Sequence, residues 1–174
     1  MVIAPSSQYF TLAHQIIVAS ILFVTMMVEI SLGYFTVFHG ATPKLLVAMV
    51  FLMAVFNEED IHLVNLVVIG LIFDCLQGAP FGYTSSVLVI VNIISIIGKR
   101  RFNSELMSYL WLDFAMVMAV VMMYCWMCIT VYYQSVPAAK PLIFQYSSSV
   151  LLFPVIIFLF QGILYLVEIV GRLR

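Results

Sequence analysis

Between residues 16 and 170 the chain passes through six apolar stretches joined by short connections. Each is too continuous in apolar character for an element of a soluble domain, which would alternate an apolar face with a polar one. Charge is too scarce to wet a surface: 7 basic and 8 acidic residues stand against 65% hydrophobic ones, where a soluble domain carries about 25% charged residues. Hydrocarbon is the solvent that fits. The expected fold is therefore an all-α integral membrane protein, a bundle of six transmembrane helices forming one domain over 1–174. A formal net charge of −1 leaves no surplus of cations for phosphates, so nucleic acid is excluded as a partner and membrane lipid is expected.

The approximate spans are 16–38, 44–57, 61–77, 83–97, 106–133 and 147–170. The second is short for hydrocarbon roughly 30 Å thick, with Pro43 suited to its start and Lys44 expected to snorkel outward. In the fifth, Tyr109 and Trp111 near one end and Trp126, Tyr132 and Tyr133 near the other fit two interfacial belts. Pro154 interrupts the sixth. It removes a backbone donor, so a bend is expected there, with the freed carbonyl near Val150 met by a neighbouring helix.

No Lys or Arg precedes Lys44, so the N-terminus reads as a retained tail rather than a signal peptide. Cationic residues flanking spans favour the cytoplasmic side. With Lys99, Arg100 and Arg101 inside, Arg172 and Arg174 also fall inside, and Lys44 and Lys140 fall outside. Both termini are then cytoplasmic.

Ionisable groups within spans are the first functional suspects, because a charge in hydrocarbon is costly. Glu29 and Asp74 each lie about 13 residues from the inner end of their helices, roughly 20 Å deep, and are candidates for one intramembrane polar site. The competing reading makes them hydrogen-bonded packing contacts. Asp113 lies only roughly 12 Å in, which separates it from both and argues against a shared-proton carboxylate dyad.

The remaining polar features favour structure over chemistry. Arg101 with Glu105 and Glu168 with Arg172 have the spacing of local ion pairs, and Glu58, Glu59 and Asp60 read as a solvated turn. Cys125 and Cys128 share one helical face, but without further Cys or His ligands they close no zinc site and read as packing. His14, His39 and His62 fall near span ends without metal-ligand spacing. No nucleophile elbow, zinc-protease motif or phosphate loop is present. No catalytic residue, cofactor or metal is expected. Ala115 and Ala119 form a small-xxx-small pair on the fifth span, a candidate helix-packing face.

The stretch 70–82 is the most informative. Gly78 is suited to end a helix with positive φ, Pro80 pushes Ala79 out of helical conformation, and Gly82 is expected to allow close backbone approach. The result is a tight outer hairpin in which Asp74, one turn before Gly78, is placed to cap amides or touch an adjacent helix. A hairpin needing no ligand is the favoured reading.

Gly70, Asp74, Gly78, Pro80 and Gly82 together resemble the Gly-x-x-x-Asp-x-x-x-Gly-x-Pro-x-Gly pattern of the bacterial rod-shape-determining MreD family. Chain length, the short second span, the basic loop at 99–101 and two closing helices extend the resemblance over nearly the whole chain. The Arg-Pro often seen before the third span is here Asn57-Glu58. The resemblance implies a non-enzymatic inner-membrane component of the cell-elongation machinery. Its partners would be an MreC-like protein and, indirectly, an MreB-like actin, a SEDS polymerase and a class B penicillin-binding transpeptidase. It also implies a fold similar to the substrate-binding subunits of energy-coupling-factor transporters, without implying vitamin binding. The alternative is a small membrane transporter or vitamin-capture subunit built around Glu29 and Asp74.

Overall fold

A computed structural model of the chain describes residues 6–34, 42–56, 62–101 and 107–172, with side chains described over 15–34, 42–56, 62–98 and 109–162. His39, the 58–60 acids, Glu105, Arg174 and the side chains of His14, Lys99, Arg100, Arg101, Glu168 and Arg172 lie outside that description. Among the described residues the chain forms six helices and no strand: α1 (Ser6–Gly33), α2 (Leu45–Phe56), α3 (Leu63–Gln77), α4 (Tyr83–Arg101), α5 (Met107–Tyr133) and α6 (Ala139–Arg172). Within α1, α5 and α6, the segments Gln15–Gly33, Tyr109–Tyr133 and Ala139–Gly162 are long and apolar enough to cross a membrane.

Helix ends depart from the expected spans for local reasons. α1 begins at Ser6, ahead of the apolar run. α6 begins at Ala139 rather than 147, because Pro141 falls in the first turn, where its missing N–H would have had no helical partner anyway.

The architecture is organised around α2. Every residue from Leu46 to Ala54 is buried, although a helix of 12 residues spans only about 18 Å. A helix apolar all round has no polar face to present, and burial on all sides is its stable solution. α1, α4 and α6 pack around it. Phe51 of α2 meets Phe114 of α5 edge-on, with centroids 5.4 Å apart, and Phe153 of α6 at 5.7 Å. Phe114 and Phe153 stack in parallel at 3.9 Å. These aromatic contacts fasten three helices by close packing, which drives association where lipid is as apolar as the side chains.

The outward faces of the long helices carry large apolar residues, including Val24, Met123, Leu151 and Phe158. One part of the proline expectation, a partner for the freed carbonyl, is met: the indole N–H of Trp111 donates to the Val150 carbonyl at 2.9 Å, four residues before Pro154.

Candidate functional site

The candidate site is the hairpin end of the bundle, where two buried carboxylates do the same local job. α4 starts at Gly82, whose carbonyl accepts the first helical bond, from Ser86 N–H at 2.9 Å. A helix start ordinarily receives a side-chain acceptor from its own capping residue, and glycine has none. Asp74 of α3 supplies it instead: Gly82 N–H donates to Oδ2 at 2.9 Å and Thr84 N–H to Oδ1 at 3.0 Å. The negative group also suits the positive end of the helix dipole.

Glu29 repeats the arrangement. α2 starts at Lys44, whose carbonyl accepts from Ala48 N–H at 3.2 Å, and the amide of Leu46, two residues on, donates to Glu29 Oε2 at 2.8 Å. Each carboxylate thus stands one turn before a glycine, Gly33 or Gly78, and caps the second amide of the helix that follows. The two are not joined: among the described residues no hydrogen bond links Glu29 to Asp74. What the structure brings near both is Thr84, bonded to Asp74 through its amide and lining a small cavity with Glu29.

Lys44 corrects an expectation. Rather than snorkelling outward, its ammonium turns inward to 3.5 Å from Glu29 Oε1 and lies 5.6 Å from the centroid of the Phe73 ring. The cause is the depth of the α2 start. Lys44 N–H donates to Ser149 Oγ at 2.9 Å and Gln145 Nε2 to the Thr42 carbonyl at 2.9 Å, which ties this segment well down α6. The ammonium's near partner there is a buried carboxylate.

The other motif positions are used by the backbone. Gly78 takes φ +66°, with its N–H on the Asp74 carbonyl, and Ala79 N–H reaches the same carbonyl at 3.1 Å. Tyr83 N–H closes the turn on the Pro80 carbonyl at 3.1 Å. Gly82 serves differently from the expectation: a Cβ there meets nothing within 4 Å, and its requirement is φ +85°. The close approach is at Gly70, where a Cβ would lie 2.5 Å from Ser85 Cα and 2.6 Å from Ser85 N. Ser85 Oγ also donates to the Val67 carbonyl at 3.0 Å.

Beside the hairpin lies an open groove of about 810 Å³, walled by 77–83 and Ser86 on one side and by the last turns of α5 on the other. Tyr83, Tyr124, Tyr132 and Tyr133 line it with Met127 and Cys128, and none of its lining residues is charged. The Tyr124 hydroxyl donates to Ser86 Oγ at 2.9 Å across it. Sequence reasoning missed this groove, because nothing local to 124–133 signals that the hairpin faces it.

The remaining candidates are dispersed. Cys125 is buried and Cys128 half-buried, and Asp113 is partly buried on α5. Among the described residues no three His, Cys, Asp or Glu side chains are grouped to hold a metal ion. His62 pairs with the Gln15 side-chain amide. Ala115 is half-buried, its carbonyl accepting from Tyr146 Oη at 3.3 Å, whereas Ala119 is exposed. Compared with protein-family models, curated proteins and solved structures, the chain matches none.

Proposed function

We propose that the protein is a non-enzymatic inner-membrane component of the bacterial cell-elongation machinery, maintaining rod shape by binding an MreC-like partner and helping to organise peptidoglycan synthesis. In this reading all six helices cross the membrane, both termini are cytoplasmic, and the bundle is similar to energy-coupling-factor substrate-binding subunits. An MreB-like actin, a SEDS polymerase and a class B transpeptidase are reached indirectly.

The observation that carries the reading is the employment of the five motif residues on which the MreD resemblance rests. Gly70, Asp74, Gly78, Pro80 and Gly82 all serve one hairpin, through a helix approach, a cap, two positive φ values and a turn. A pattern used up in building a fold suits a scaffold, whose work lies in presenting surfaces to partners. The exposed Ala119 on α5 is such a surface, since small residues allow another helix to approach closely.

The groove favours a second reading, a small-molecule transporter or vitamin-capture subunit, because it is concave, largely apolar and carries a few hydroxyls. One experiment separates the two. The tagged protein is purified from native membranes in mild detergent, and what accompanies it is identified by mass spectrometry. Enrichment of an MreC-like protein with wall synthases is expected. Energy-coupling ATPases, or a stoichiometric small molecule without wall-synthesis partners, would overturn the scaffold reading in favour of capture.

A further inference from the structure

Beside the open groove the bundle holds a second space of about 20 Å³, lined by Glu29, Lys44, Phe73, Tyr83, Thr84 and Cys125 among apolar neighbours. A water molecule needs roughly 10–15 Å³ of such space and two to four polar partners. Glu29 is 1% exposed. Its Oε2 is committed to the Leu46 amide, while its Oε1 receives no hydrogen bond from any described residue. The Lys44 ammonium stands 3.5 Å from that oxygen, beyond the usual 2.7–3.2 Å or so of a nitrogen-to-oxygen hydrogen bond.

We infer that the chamber is a water site, in which one molecule donates to Glu29 Oε1 and accepts from the Lys44 ammonium. Charge selects the occupant. A cation would face the Lys44 ammonium and an anion the Glu29 carboxylate, whereas a neutral dipole with both a donor and an acceptor satisfies the two at once. A buried ion pair tolerates burial only when its remaining lone pairs and protons are bonded, and this water completes them. Thr84 and Cys125 supply further polar groups on the wall. The chamber and the groove are neighbours. Tyr83 lines both the chamber and the groove, and Cys125 and Cys128, one turn apart on α5, line the chamber and the groove respectively.

The test is water-to-protein magnetisation transfer in solid-state NMR, on the full chain in lipid bilayers. Transfer to the Glu29 side-chain carboxyl is expected in the wild type and is lost in Val121→Ile, because Val121 also lines the chamber and an added methyl there takes the space of the water. Because filling a water site strips Glu29 of its donor, Val121→Ile also lowers Tm, by about 2–4 °C. No transfer at Glu29 in the wild type overturns the inference, as does a Tm raised by Val121→Ile, the mark of a dry void. A Glu29 carboxyl shift that follows sodium concentration would assign the space to a cation and overturn it too. Should Val121→Ile fail to fold, the wild-type spectrum decides alone.

Discussion

Trp111 donates its indole N–H to the carbonyl of Val150, 2.9 Å away on the neighbouring helix. Pro154 cannot bond that carbonyl along α6, so a side chain from α5 does so instead. Trp111→Phe is expected to lower stability by about 1 kcal/mol, the typical net value of such a bond. In a Pro154→Ala background, which restores the helical donor, the same change should cost markedly less. Thermal unfolding of the four proteins in one detergent gives the coupling, and equal costs in both backgrounds would refute it.

Asp74 holds two amides of another segment. Asp74→Ala strands both, at about 1–3 kcal/mol for the buried Thr84 donor left unmet and less for the part-buried Gly82 one, while Asp74→Asn keeps one acceptor and should cost less. Hydrogen exchange at the Thr84 amide reads the effect directly, with protection falling in the order wild type, Asn, Ala.

Two glycines on neighbouring helices should respond oppositely to alanine. Gly70→Ala drives a methyl into the Ser85 backbone at 2.5 Å and is expected to cost about 1–3 kcal/mol as α3 and α4 separate. Gly98→Ala meets nothing within 4 Å and should gain about 0.5–1 kcal/mol of helix stability. Unfolding midpoints of the two variants, compared with wild type, check both signs.

The Glu29–Lys44 pair should be worth less than its destruction costs. Lys44→Met alone leaves a buried carboxylate unmatched, an expected loss of about 3–5 kcal/mol. Adding Glu29→Gln, whose side-chain oxygen still accepts from the Leu46 amide, should recover most of it. The double variant unfolding as early as Lys44→Met would show that the pair is not what Lys44 serves.

On the scaffold reading, Ala119→Phe should reduce recovery of the MreC-like partner several-fold without lowering Tm, because Ala119 is exposed. Ala115→Phe should lower Tm as well, since Ala115 lies against Tyr146. Co-purification with each variant, alongside its melting curve, is the measurement. Undiminished recovery with Ala119→Phe would reject this face.

The hairpin was legible in the sequence because glycine, proline and aspartate act over a few residues: Gly78 ends α3 and Asp74 caps the turn within a ten-residue reach. The Trp111 bond was half legible, since Pro154 announces a free carbonyl but not its donor. What stayed hidden depends on distant partners. The inward turn of Lys44 follows from where Ser149 and Gln145 hold its segment, more than 100 positions away, and the role of Gly70 appears only with Ser85 beside it. A shared local signature was nonetheless present: Glu29 and Asp74 each precede a glycine by four residues.

The walls of α2 bear on how the chain is made. α4 and α6, which enclose it, and α5, whose Phe114 meets Phe51, are all synthesised after it. A nascent chain halted before α6 would therefore leave Phe51 without Phe153, and the Lys44 amide without the Ser149 hydroxyl. Assembly is complete only when the last helix arrives, so a C-terminal truncation disturbs the centre of the bundle rather than its edge.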